Sequence, residues 1–160
     1  MVDLPPTPAT DAVAHAGFPY RVLEFEPPSS AQESADRQDI DLHELVRTIV
    51  VRRAADDYVF VLVPGGRQID WPKLRSHLGV RKLSLPDAQE AKAATGYERG
   101  AITPFGAATA WPVVADRSVA GLEVAAVGGG RRGVNIHLRG DDLVSALGAE
   151  VADVTIARTE

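Results

Sequence analysis

The feature that most constrains this chain is the uninterrupted apolar run Tyr58-Val59-Phe60-Val61-Leu62-Val63. A strand that faces water on one side alternates apolar with polar residues; one apolar at every position must be covered on both faces. Its β-branched and aromatic residues favour a strand over a helical segment of the same length. Thr48-Ile49-Val50-Val51 precedes it across an Ala54-Ala55-Asp56-Asp57 turn, and Pro64-Gly65-Gly66 ends it. The two runs therefore read as a β-hairpin whose second strand is well buried. A length of 160 residues leaves room for one core of this kind rather than two. With 45% apolar residues that core needs no staples, and the absence of cysteine rules out a disulfide framework, a cysteine nucleophile and every thiolate metal site.

Elements around the hairpin follow from caps and breakers. Residues 1–8 are proline-rich and read as a loose, flexible tail, with the domain covering residues 9–156. Thr10–Ala16 is a short helix stopped by Gly17 and Pro19, and Tyr20–Phe25 a strand stopped by Pro27-Pro28. Ser30 with Glu33 is a capping-box pattern opening a helix to about Gln38, and a further helical turn is expected over Asp41–Val46. Asp70 caps a helix from Trp71-Pro72 to His77 or Leu78, with Gly79 as its stop. Lys82–Leu85 reads as a short strand, and Pro86-Asp87 opens a helix closed by Thr95-Gly96. Trp111–Val114, Leu122–Val127 and Val134–Leu138 are strand-like, and Asp141 or Asp142 is expected to cap a last helix to Leu147. Short strands joined as hairpins and interrupted by helices indicate an α/β chain with a mostly antiparallel sheet.

Charge narrows the partners. A net charge of −5 and a pI near 5.4 argue against a general duplex-DNA binder, but not against a protein that holds one end of a nucleic acid. Lysine occurs only as Lys73, Lys82 and Lys92, so the basic side chains are mainly arginine, whose fork suits phosphate. Genomic bias would produce the same excess. No apolar stretch approaches the roughly 18 residues of a membrane span, and the N-terminus shows no secretory signal, so a cytoplasmic protein is expected, with neither membrane nor DNA as partner.

Most catalytic patterns fail on inspection. There is no Gly-x-Ser-x-Gly elbow and no phosphate-binding Walker loop, and His15, His43, His77 and His137 are too scattered to share a helix face. No metal site is expected. Gly128-Gly129-Gly130-Arg131-Arg132-Gly133 satisfies Gly-x-Gly-x-x-Gly, but a dinucleotide fingerprint must run from strand into helix, and here a second strand follows. It reads instead as a hairpin turn whose two arginines are either solvated or in contact with phosphate. The segment Thr95–Gly106 sets three glycines and Pro104 among small residues after a helix. Such a loop can bring backbone N–H groups close to a ligand and suits an oxyanion, or is simply a tight connection.

These two segments, together with Val46-Arg47-Thr48-Ile49-Val50 after a capped helix, resemble the YbaK-like aminoacyl-tRNA editing family, related to the insertion domain of bacterial prolyl-tRNA synthetase. The resemblance runs from about Tyr20 to Asp153, and its most specific marker is Gly100-Ala101-Ile102-Thr103-Pro104, which looks like the family's Gly-x-x-x-Pro loop. It implies a curved, mixed, mostly antiparallel sheet or partial barrel flanked by helices, and hydrolysis of the ester of a mischarged tRNA without metal or organic cofactor. The implied partner is the tRNA acceptor end, with prolyl-tRNA synthetase as a protein partner, and Cys-tRNA(Pro) or a related small-residue mischarge as substrate. In cysteine-specific members the substrate's own thiol is thought to attack. By the same resemblance Gly100, Ala101, Ile102, Thr103 and Pro104, with Arg47, are the catalytic set. Phe25, Thr48, Gly129, Arg131, Arg132, Gly133 and Asn135 are expected to bind substrate or tRNA. Arg47 replaces a lysine, Phe25 a tyrosine and Asn135 an aspartate of the cysteine-specific members. Those three changes keep a second reading open, in which the pocket senses a charged tRNA end or a small metabolite without hydrolysis.

Overall fold

In the computed structural model, which describes residues 5–158, the apolar run is the centre of the molecule. A first helix, α1 (Pro8–Ala16), leads to strand β1 (Arg21–Glu24), helix α2 (Ala31–Arg37) and a 3-10 turn at Leu42–Glu44. The hairpin consists of β2 (Val46–Ala54) and β3 (Asp57–Pro64), followed by β4 (Arg67–Ile69), α3 (Trp71–Leu78) and α4 (Ala88–Thr95). The remainder contributes β5 (Val113–Asp116), β6 (Ala125–Gly128), β7 (Val134–Leu138), α5 (Gly140–Leu147), β8 (Glu150–Ala152) and β9 (Thr155–Ala157).

Three sheets result. The four-stranded sheet runs β2-β3-β5-β8, antiparallel within the hairpin and parallel from β3 outward. An antiparallel sheet β1-β7-β6 stands beside it, joined through a parallel bridge from Leu45 to Ala126, and β4 pairs with β9. The architecture is mixed α/β and mostly antiparallel, as expected, but among the described residues no sheet closes into a barrel.

Strand β3 is covered on both faces. Tyr58, Phe60 and Leu62 enter a core with Tyr97, Phe105, Val127 and Ile136, whereas Val59, Val61 and Val63 enter a second core with Leu74, Val114 and Val154. Buried Asp116, at the end of β5, accepts hydrogen bonds from the Ser118 hydroxyl and from the N–H groups of Ser118 and Val154, and so ties the parallel strands to the last segment.

Several local expectations are corrected. Of the supposed tail, residues 1–4 lie outside the described residues, but Thr7 is buried and caps α1 in a reciprocal box with Thr10, and Pro8 opens the helix. Ser30 caps α2 by accepting from Glu33 N–H, yet the Glu33 carboxylate turns to Ser29 and Arg37 rather than completing the box. The expected strand at Lys82–Leu85 shrinks to one bridge between Arg52 and Ser84. Helix α5 opens one residue before Asp141, whose carboxylate accepts from Gly121 N–H instead of capping.

Candidate active site

Strand β2 is the outer strand of its sheet, and part of its free edge is open. Arg52 exchanges both backbone hydrogen bonds with Ser84, at 2.8 and 3.1 Å, so its N–H and C=O point away from β3. Antiparallel pairing alternates this orientation, so Thr48 and Val50 also direct their N–H and C=O outward. Between the bridges at Leu45 and Arg52 no strand covers that edge among the described residues. It borders a cleft of about 340 Å³ lined by Thr48, Val50, Leu85, Asp87, Arg99 and Ile102, among others. The Thr48 hydroxyl oxygen is buried there without a hydrogen-bond partner among the described residues.

The glycine loop supplies the facing wall. Thr95 ends α4 with its hydroxyl bonded back to the Ala91 carbonyl, and Gly96 turns the chain at φ 82°. The buried Tyr97 hydroxyl then donates to the Phe105 carbonyl at 2.6 Å, bracing the loop across its width. Burial pushes Tyr97 up to about 12, so it remains a neutral donor at working pH. Ala101 N–H is already committed to the Glu98 carbonyl, whereas Ile102 N–H has no partner among the described residues. Behind Ile102 lies the hairpin turn: a Cβ on Gly128 would stand 2.9 Å from the Ile102 carbonyl oxygen, so glycine lets the two backbones touch. Thus Thr48 and Ile102 share one cleft, and Gly128 backs the Ile102 backbone from behind.

Other expected site residues are placed elsewhere. Arg47 lies on the opposite face of β2 from Thr48 and donates through Nη2 to the Arg67 carbonyl at 2.6 Å. Burial, with Arg158 nearby, lowers its guanidinium from the usual range. Phe25, Gly133 and Asn135 line a separate, nearly filled depression of about 10 Å³ against α2. There Phe25 N–H donates to the Gly133 carbonyl, and only glycine fits at 133, where φ is 86° and a Cβ would meet the Phe25 oxygen at 2.2 Å. Gly129 accepts the Thr7 hydroxyl at 2.6 Å and is part of the frame. Arg131 is tied to the Glu24 carboxylate and the Pro5 carbonyl, both at 3.3 Å, whereas exposed Arg132 lies across Gly100. Sequence reasoning missed Val50, Leu85, Asp87 and Arg99; Pro86-Asp87 was legible as a helix start, not as a cleft wall. Among the described residues no three His, Asp or Glu side chains gather as a metal site.

Comparison with known proteins gives this geometry a family. The model of the aminoacyl-tRNA editing domain matches residues 26–146. Over 152 residues, 93% of each chain, the protein is 26% identical to "Putative Cys-tRNA(Pro)/Cys-tRNA(Cys) deacylase EbsC" of Enterococcus faecalis. It is 30% identical over 135 residues to proline–tRNA ligase of Streptococcus equi subsp. equi, covering 83% of this chain but only 21% of the ligase. Among solved structures, hypothetical protein APE2540 superposes with a TM-score of 0.86 at 25% identity, covering 94% of this chain and all of that one. By its sequence match over most of its length, the chain belongs to the aminoacyl-tRNA editing domain family.

Proposed function

We propose that the protein is a trans-editing deacylase that hydrolyses the ester of a mischarged tRNA, with Cys-tRNA(Pro) or a related small-residue mischarge as substrate. The observation that carries the reading is the cleft at the open edge of β2. Outward-directed backbone groups of Thr48 and Val50 border one cavity with the Thr48 hydroxyl and Ile102 N–H, the last two without a hydrogen-bond partner among the described residues. Such fixed dipoles suit an aminoacyl ester, whose carbonyl oxygen gains negative charge on attack. Among the described residues the titratable side chains on the lining are Asp87, which already accepts from Glu90 N–H as the cap of α4, and Arg99. Neither is a poised general base, so the nucleophile is water or a group of the substrate. With water as nucleophile the new C–O bond forms at the ester carbon, the bond to the terminal ribose oxygen breaks, and that oxygen takes the proton water gives up. With the substrate's thiolate a C–S bond forms instead, the ribose oxygen leaves and is protonated by solvent, and water then opens the resulting thiolactone to the free amino acid. The cysteine preference is supported by the name of the Enterococcus relative and by the substrate thiol, which attacks as thiolate from an ordinary pKa of about 8.5.

Arg47, fixed to the Arg67 carbonyl, is a structural cation in this reading, and the terminal phosphate is held elsewhere. The test is a panel of mischarged tRNAs on one tRNA body, assayed with and without excess chelator. Turnover that is faster for cysteinyl- than seryl-tRNA and indifferent to chelator is expected. Saturable binding without turnover of any member would replace the enzyme by the sensor.

A further inference from the structure

A second cleft, of about 430 Å³, adjoins the first and has a different character. Arg52, Arg53, Arg75, Arg81 and Lys82 line it, with Ala54, Leu83 and Ser84 completing the wall. Five cations around one cavity stand out in a chain whose net charge is −5. Two are partly neutralised: Arg53 pairs with Asp57 at 2.9 Å, and Arg52 Nε lies 3.4 Å from the Glu90 carboxylate. Arg75, Arg81 and Lys82 have no carboxylate within 4.0 Å among the described residues, and Arg81 and Lys82 are exposed. Like charges left facing one another on a concave surface raise a local positive potential that a polyanion relieves.

The position of the cleft identifies the polyanion. Ser84 lines the basic cleft and Leu85 the ester cleft, so one short segment forms the shared rim. Along β2, Val50 borders the first cleft and Arg52 the second, a separation of roughly 7 Å at about 3.3 Å per residue. A chain with its ester beside Thr48 and Val50 would pass directly over these cations. We infer that the Arg52–Arg53–Arg75–Arg81–Lys82 cleft binds the phosphate backbone of RNA just inside its aminoacylated end, and that this cleft rather than the Arg131–Arg132 turn supplies the main electrostatic grip. The inference rests on the deacylase reading for the identity of the RNA, but the charge cluster exists independently of it. The count of unengaged cations supports the assignment: Arg131 is shared between Glu24 and Pro5, which leaves the turn with Arg132, against Arg75, Arg81 and Lys82 in the cleft.

The test compares the native protein with Arg81→Ala/Lys82→Ala, whose exposed side chains leave the cores untouched, and with Arg75→Glu as a second variant. Uncharged tRNA is the binding probe, titrated across potassium chloride concentrations. Mischarged tRNA and a 3′-aminoacyl-adenosine carrying the same amino acid are the two hydrolysis probes. The double variant is expected to bind tRNA at least tenfold more weakly, with a salt slope shallower by about 1.4–1.8, since two fewer phosphates are neutralised. KM for mischarged tRNA rises correspondingly, while hydrolysis of the small ester is unchanged. If neither ester is hydrolysed by any form, but tRNA binding still falls in the variants, the cleft stands and the deacylase reading fails. Unchanged affinity and slope overturn the cleft as an RNA site. So does an equal loss on both hydrolysis probes, or AMP binding as tightly as tRNA, which would make it a small-anion pocket.

Discussion

Thr48 shows how much one side chain carries at this site. Its hydroxyl oxygen is buried without a hydrogen-bond partner, and an unsatisfied buried hydroxyl costs stability that a ligand could repay. Thr48→Val keeps the shape and removes the unpaired oxygen. The expected outcome is a protein equally stable or more stable by up to about 1 kcal/mol in urea unfolding. Ester hydrolysis by the same variant should fall about tenfold, the equivalent of about 1.4 kcal/mol in the barrier. A variant that loses stability along with activity would assign the hydroxyl to the frame instead. At this scale the sequence was only partly legible. Thr48 and Ile102 were named from their motifs, and the structure places both on the cleft. Arg47 was named from the same motif, but strand alternation turns it to the other face, where the Arg67 carbonyl holds it. At Gly100 the constraint is its φ of 91°, since a Cβ there would meet Arg132 only at ordinary contact distance.

The loop between α4 and β5 is positioned as a unit, and its brace is the bond from Tyr97 to the Phe105 carbonyl. Tyr97→Phe removes the donor and leaves that buried carbonyl unpaired, a loss of about 1–2 kcal/mol. Because the bond spans the loop, hydrolysis should fall more steeply than stability alone explains, which urea unfolding and steady-state rates on the same preparation would show. Unchanged rates would mean that the loop holds its shape through the packing of Phe105 and Pro104. Elements with local signals were legible in the sequence: Asp70 caps α3 as read, the helix start at Pro86-Asp87 is where Asp87 caps α4, and Gly79 and Gly96 end the two helices in the left-handed region. The strands β4, β8 and β9 were not. Each has three residues and owes its existence to a distant partner, as when Arg67–Ile69 pairs with Thr155–Ala157. Local periodicity cannot register a pairing that exists only after the chain has closed. The ester cleft escaped for a related reason, since its walls come from three segments that meet only at the edge of β2.

For the whole molecule, two buried polar groups are expected to contribute to the response to acid. Burial pushes His137 below its ordinary value of 6.5, helped by Arg21 and opposed by Glu44, and its Nε2 meets the Gln38 amide oxygen at 2.8 Å. Burial alone would raise Asp116, but hydrogen bonds from Ser118, Val154 N–H and Thr155 hold its carboxyl below 3.8. Both shifts have the same sign for stability. In each case the unfolded chain binds a proton at a pH where the folded protein resists it, so stability falls as pH falls. The His137 contribution is complete above about 6.5 and begins to be lost below it, whereas the Asp116 contribution persists until pH drops below about 3.8. Unfolding midpoints in urea should therefore decline in two stages between pH 8 and pH 3, the first around the histidine and the second in the carboxylate range. His137→Gln keeps a donor for Gln38 without a titrating ring, so it should flatten the first stage and leave the second. Asp116→Asn should lower stability at neutral pH and weaken the second stage, because the carboxylate that holds β5 to the last segment is gone. A native curve that runs parallel to that of His137→Gln from pH 7.5 to 5.5 would show that the buried imidazole does not govern this window, and that the acid response arises at the surface.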